Sequence, residues 1–447
     1  MTTPSEADLR RLLEQAVRRA RIGLGDGKSG TVVERLDLLD GSTLVVKHVR
    51  PYGDWIMRAM HDEGRAATLW TRGILARLPA GLDSAVLGAV PSGDGWTVVM
   101  RDVEDCLLPD ETTLSRDQSR RIIAAVHALH VTFAGEDVPG LALLADRYTV
   151  LGPSLAERER DGADAVPKMV ERGWSIFADR VAPDVAQPVM QLLDDPAELV
   201  STLARRSQTL VHGDLKIPNI GVGSDRVVLL DWGTQTGIAP SAVEWAWYVA
   251  ISAGRIAARR EDILDDVRAA EGDGHDRVAL RLSLLGAVLQ LGWNKALDAY
   301  EHPDASIRAR ERRDLEWWVR TARGVLENLA ADIDMSHEGG AMTDIQTRLA
   351  GVRAKLTAAV DAVEDDAGAS PVLVAVVREF DAKLGRAETR AVDDTSSNGA
   401  VREGVVEAEQ AADSAKVAAE ADPGVGSEAR QAVLDAHYAI CVLKAEM

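Results

Sequence analysis

The chain has 447 residues, too many for one ordinary hydrophobic core, and its 46% hydrophobic and 27% charged residues are the balance of a water-soluble globular protein. A formal net charge of −20 argues against nucleic acid as a partner and favours the attraction of cations. The apolar stretch LSLLGAVLQLGW at 282–293 falls short of a membrane span, and two cysteines, Cys106 and Cys441, supply neither a disulfide framework nor zinc-type spacing.

The N-terminal MTTPSEADLRRLLEQAVRRARIG lacks the apolar run of a secretory signal and mixes acids with its arginines, so a cytoplasmic protein is expected. Within it, residues 5–22 place Leu and Ala at helical spacing after Pro-Ser, which predicts a helix. TVVERLDLL and TLVVKHV, joined at Asp40 and Gly41, predict a β-hairpin. Residues 54–75 again read as one helix, opened by Asp54, and AVLGAV and GWTVVMRDV as two more strands around PSGDG. From 114 to about 331 the pattern is helical, apart from a short strand pair at 210–231 with GVGSDR as its turn. After SHEGGAM at 336–342 the composition shifts to Ala/Glu/Lys/Arg/Val runs without Trp, which predicts about four helices joined by DDAGASP, DDTSSNG and ADPGVGSE. One of these helices, at 401–421, is only weakly amphipathic, which leaves a marginal or partly disordered helix as the alternative.

Chemistry is carried by LVHGDLKIPNIGVGSDRVVLLDWG, in which Asp214 precedes Asn219 by five residues and Asp231 closes an apolar run before Trp-Gly. Phosphoryl transfer from a nucleotide needs a base to orient the attacking hydroxyl, hard oxygen ligands for a divalent metal, and a cation on the phosphates. Two carboxylates and an amide on one hairpin meet the first two needs. The bland alternative, two aspartates making local hydrogen bonds at turns, requires five positions to coincide by chance.

The H-G-D-x-x-x-x-N and apolar-apolar-D-W-G segments resemble the catalytic and metal-binding loops of the aminoglycoside phosphotransferase family, over roughly residues 20–330. The resemblance implies an α+β, bilobal protein-kinase-like fold: an N-lobe with a small antiparallel sheet at 1–105 and a mostly helical C-lobe at 106–335. A linker at 336–342 and an all-α bundle or hairpin at 343–447 would follow. It implies Asp214 as catalytic base, Asn219 and Asp231 as Mg²⁺ ligands, His212 as a brace of the loop, and ATP or GTP as phosphoryl donor. Lys47, after three apolar residues in TLVVKHV, would contact the α- and β-phosphates, braced by Glu63, with Asp62 and Glu34 as rivals. A strand lysine that merely snorkels is the alternative for Lys47. Gly25, Gly27 and Gly30 in GDGKSG fit a phosphate-covering loop. The same residues imitate a Walker A motif, but Ile22 stands where its first glycine belongs. By analogy Met100 to Val103 form the hinge, with the main chain of Arg101 and Val103 meeting the purine.

Lys216, two residues past Asp214, resembles the γ-phosphate lysine of protein kinases and keeps a protein hydroxyl open as acceptor. Against it, Gly213 replaces the arginine of those kinases, and only TQTGIA separates Gly233 from Pro240. Glu244 stands where the family has a bracing aspartate. The expected acceptor is a small-molecule hydroxyl compound, cationic in one reading, for resistance or for metabolism. Trp245, Trp247, Trp293, Trp317 and Trp318 are either core or stacking platforms, and Glu301, Asp304 and Glu316 either solvated or a polyamine cradle. A regulatory pseudokinase is the reading from another class, with residues 343–447 as its effector, as a dimer contact, or as a once separate protein beginning at Met342.

Overall fold

The computed structural model describes residues 4–22, 32–51, 53, 55–108, 112–162, 164–329, 349, 351–392 and 398–445. Asp54, the GDGKSG loop and the Ser336 to Met342 segment lie outside these residues. The chain divides into two compact units, Met1–Ile333 and Asp334–Met447.

The first unit opens with a helix at Glu6–Glu14, capped reciprocally by Ser5 and Asp8. The helix predicted to reach residue 22 stops there, and Ala16–Arg21 becomes strand β1. Pairing with β2 (Val32–Leu38) overrides the helical spacing, and Arg18 and Arg19 face Asp37 and Glu34 across the ladder. β3 (Thr43–Val49) completes the predicted hairpin. The short β4 (Leu82–Asp83), then β5 (Val86–Ser92) and β6 (Gly95–Arg101), follow. Five of these strands form one antiparallel sheet in the order β1-β2-β3-β6-β5. Side chains alternate across a strand, so Leu44 and Val46 pack under the first helix with Leu9, while Lys47 faces the other way.

The predicted single helix at 54–75 is two: Trp55–Ala59 and Arg65–Thr71. His61 and Gly64 between them adopt positive φ, and the buried Asp62 carboxylate accepts the N–H of Gly64 and Arg65, starting the second helix afresh.

The remainder of this unit is helical. Its core is built on Arg116–Thr132, Ala165–Arg180, Ser241–Ser252 and Arg277–Glu301, around Phe133, Tyr148, Trp174, Phe177 and Trp245. Set into it are β7 (Thr209–Val211), β8 (Ile220–Val222), β9 (Val227–Leu229) and β10 (Gly237–Ala239). β8 and β9 are the predicted hairpin, β4 adds to β9 in parallel, and β10 pairs with β7. A small antiparallel sheet followed by a helical lobe is the expected α+β architecture.

Among the described residues, the second unit is built of helices, at 351–365, Pro371–Val392, Asn398–Ala421 and Ser427–Ala445. Its buried positions step by four and three: Leu373, Val377, Phe380, Leu384, Ala387 and Ala391 on one helix, and Val401, Val405, Ala408, Ala412, Ala415 and Ala419 on the next. That is a heptad seam. Residues 401–421 are thus a packed helix, as expected, and not the marginal alternative, because alanines let neighbouring backbones approach.

One close approach in the first unit is testable. A Cβ added at Gly173 would lie 2.3 Å from the backbone oxygen of Trp293, which cannot swing aside. Gly173→Ala is expected to destabilise the chain by about 1–3 kcal/mol, seen as a lower denaturant midpoint.

Candidate active site

The loop after β7 carries Asp214, and its shape is imposed from beneath. Glu244, in the first turn of the helix at Ser241–Ser252, is fully buried and accepts the backbone N–H of His212 and, at 3.1 Å, of Gly213. Gly213 has φ +85, and a Cβ there would lie 1.9 Å from the Gln235 oxygen, so no larger residue fits this turn. The His212 ring is buried between two backbone groups: Nε2 donates to Leu230 O at 2.9 Å and Nδ1 accepts the Asp214 N–H at 3.3 Å. One imidazole thereby links the Asp214 loop to the residue before Asp231.

Asp214 Oδ2 accepts Asn219 Nδ2 at 3.0 Å and pairs with Lys216 Nζ at 2.6 Å. Asn219 Nδ2 also reaches the Asp214 carbonyl, which assigns the amide nitrogen to that side and turns Oδ1 the other way. Asp231, at φ +63, is held in an ion pair with Lys47 of β3. The Lys47 charge outweighs the opposing effect of burial and, helped by Lys216 and His212, lowers the Asp231 pKa to about 2. Burial pushes Lys216 down, but its pair with Asp214 and the nearby Asp231 outweigh that and leave its pKa raised. Both carboxylates thus face cations drawn from different parts of the chain.

The structure therefore brings together Asp214, Lys216, His212, Asn219, Asp231 and Lys47. Gly25, Gly27 and Gly30 lie outside the described residues. Glu63, which the resemblance implied as the helix brace of Lys47, is exposed and lies in the break between the two short helices. The neighbouring Asp62 is buried and reaches across to the loop after Asp231, accepting Thr234 Oγ1 at 2.7 Å, while Arg65 donates to Thr234 O at 2.7 Å. Glu34 meets His48 at 3.1 Å. In the segment expected as the hinge, the Arg101 N–H is donated to Ala85 O and its guanidinium pairs with Asp83, while the Val103 carbonyl accepts from Cys106.

Two functional neighbours escaped the sequence reading. Thr234 follows the Asp-Trp-Gly triplet directly, a position that could have prompted attention. Arg147, buried against Gln235 O and over the Trp247 ring, carried no signal because an arginine within a helix reads as solvated.

Of the tryptophans read as either core or stacking platforms, most are core. Trp245, Trp247, Trp293 and Trp318 are buried, and Trp317 is partly buried and donates to Glu261. Glu301 pairs with Arg172, and Asp304 caps the helix at Ala305–Leu326, so neither is held for a polyamine. A cavity of about 430 Å³ among these helices is lined by Arg255, Arg260, Lys295, Arg310 and Arg313 as well as by acids, which is not a polyamine cradle either.

No family model and no curated protein matches the chain. Among solved structures it is similar to an aminoglycoside phosphotransferase from Streptomyces rimosus bound to ADP and streptomycin, at 18% identity and TM-score 0.39 over 59% of this chain and 94% of that one. It is also similar to a spectinomycin phosphotransferase bound to ADP and spectinomycin, at 12% identity and TM-score 0.42, covering 69% and 92%. A macrolide 2′-phosphotransferase from Brachybacterium faecium gives 17% identity and TM-score 0.33, covering 66% and 90%. At these identities and scores the likenesses carry no argument about chemistry, which rests on the geometry above.

Glu244 is the group to test. Burial pushes its pKa up, but the His130 and His212 imidazoles and the Arg147 guanidinium outweigh that, leaving it below the ordinary 4.5. A carboxylate lowered on folding contributes stability above its unfolded pKa and loses it as pH falls through the folded value. The denaturant midpoint is therefore expected to drop as pH falls below 4.5. Glu244→Gln, which sets an N–H against a backbone N–H, should cost about 1–3 kcal/mol at neutral pH and show a shallower acid drop. Equal acid drops in both proteins would contradict this account.

Proposed function

We propose that the chain is a small-molecule kinase that transfers the γ-phosphate of ATP or GTP to a hydroxyl of an antibiotic-like, amino-alcohol or sugar acceptor. The observation that supports this most is the single hairpin that sets Asp214 and Asp231 together, each against a lysine, with the Asn219 carbonyl oxygen directed away from Asp214. Two carboxylates held for structure alone would not need separate lysines from β3 and from the loop.

Asp214 is the base. Its Oδ2 is fixed by Asn219 and Lys216, and Oδ1 accepts the acceptor hydroxyl proton and aims the oxygen at phosphorus. Asn219 Oδ1 and the Asp231 carboxylate are the hard oxygen donors that suit Mg²⁺, which supplies neutralisation of phosphate charge when bound. Lys47 and Lys216, charged and already positioned beside the two aspartates, exchange those partners for the α/β- and γ-phosphates. Gly25, Gly27 and Gly30 would cover those phosphates. The purine meets the Arg101 carbonyl and the Val103 N–H. Asp62 and Arg65, through Thr234, hold the loop after Asp231 against the small lobe.

A protein acceptor is disfavoured by one further feature. The residues after Gly233 run directly into β10 and then the helix at Ser241–Ser252, which leaves no segment on which a peptide docks.

The test is a phosphorylation screen with mass detection over aminoglycosides, macrolides, peptide antibiotics and amino alcohols. On any accepted compound Asp214→Ala should lower turnover by about 10²–10⁴-fold while leaving the thermal shift with Mg-ATP intact. Activity near wild type in that variant would refute the assignment of the base. Nucleotide binding without turnover on any acceptor would favour a regulatory pseudokinase instead.

A further inference from the structure

Three side chains in the second unit converge without being needed for packing. Asp413 lies on the helix Asn398–Ala421, and His437 and Cys441 lie one turn apart on Ser427–Ala445. His437 Nε2 is 2.8 Å from Asp413 Oδ1 and 3.5 Å from Cys441 Sγ, and the three ligand atoms all lie within 4.8 Å of one another. None belongs to the buried seam, which on the last helix is Ala429, Val433, Ala436, Ile440 and Leu443.

A plain cross-helix ion pair accounts for part of this, as it does for Lys444 and Glu409 at 2.9 Å nearby. It does not account for the sulfur. If Nε2–H donates to Asp413, the same nitrogen has no lone pair for the thiol proton, and one atom faces two groups that a single proton serves poorly. A cation at the centre of the triangle satisfies all three.

We propose that Asp413, His437 and Cys441 form a binding site for a thiophilic divalent cation of the zinc class, with the fourth position open to water. Thiolate, imidazole and carboxylate together select zinc over magnesium or calcium. With Zn–N near 2.0–2.1 Å and Zn–S near 2.3 Å, a tetrahedron has N···S and N···O edges of about 3.3–3.6 Å. The N···S separation of 3.5 Å already matches, and the N···O separation of 2.8 Å has to open by roughly half an ångström, which the exposed Asp413 side chain permits. Burial and the acids Glu409 and Asp413 raise the Cys441 pKa, so the metal displaces the thiol proton and one proton is released per ion bound. Because the ligands come from two helices, the ion ties the end of the bundle together. His437 and Cys441 are a local pair on one helix, and the third partner, Asp413, joins them only where two helices pack.

The test is titration of the full chain, free of any histidine tag, with Co²⁺ as spectroscopic probe. The expected result is one tetrahedral ion per chain with a thiolate-to-cobalt charge-transfer band that Zn²⁺ abolishes by displacement. The band should be absent in Cys441→Ser, retained in Cys106→Ser, and formed with at least tenfold weaker affinity in His437→Gln and in Asp413→Asn. Asp413 is exposed, so its variant cannot fail merely by misfolding. A band that survives Cys441→Ser, or Co²⁺ held with oxygen ligands only, would overturn the proposal. The oxygen donors at Asn219 and Asp231 can give the second spectrum but not the band.

Discussion

The Glu244 carboxylate, wholly inside the helical part of the first unit, accepts two consecutive backbone N–H groups from the loop of His212 and Gly213. Everything proposed for the site depends on that contact. Two backbone donors in a tight turn would otherwise be buried without partners, and each would cost about 1–3 kcal/mol. With the loop pinned, the His212 ring spans to Leu230, so the position of Asp214 and the start of the Asp231 turn are not independent. Asn219 then closes the loop from the other side. The geometry of the loop is therefore over-determined by hydrogen bonds to its backbone.

Charge is arranged in the same spirit. A chain with a net charge of −20 places lysines from β3 and from the loop against the two aspartates of this cleft. The pairs are local and close, so they survive salt that would screen the net field. Lysines that stand beside carboxylates are also poised for phosphates, since an exchange of one anion for another avoids burying an unpaired charge. The acidic surface alone is a weak guide to the acceptor: of the three acids suggested for a polyamine, Glu301 is engaged with Arg172 and Asp304 with a helix N-terminus.

The second unit follows a different logic. Its helices are joined by a four-and-three spacing of small and medium apolar residues, with cross-helix pairs such as Lys444 with Glu409 and Arg353 with Glu388 alongside. Such a bundle needs no site to fold, so a cluster of three metal-ligating groups beside its seam stands out from its surroundings. The alternation that defines the seam was present in the sequence, but alanine at so many core positions flattened the contrast between faces.

What the sequence by itself determined is the local chemistry: Asp214, Asn219 and Asp231 at their spacing, Lys47 in a β-branched run, and the α+β order of elements. These are set by neighbours along the chain, through periodicity, turn geometry and motif. Tertiary structure decided what depends on distant partners. Pairing with β2 drew 16–21 out of a helix. The Asp62 link to Thr234, 172 residues away, accompanies the break in the helix predicted around Glu63. Burial of the tryptophans removed their faces from any ligand, and the meeting of Asp413 with His437 and Cys441 exists only where two helices pack. Periodicity reports which face of an element is apolar, but not which other element will cover it or which polar group will arrive from across the fold.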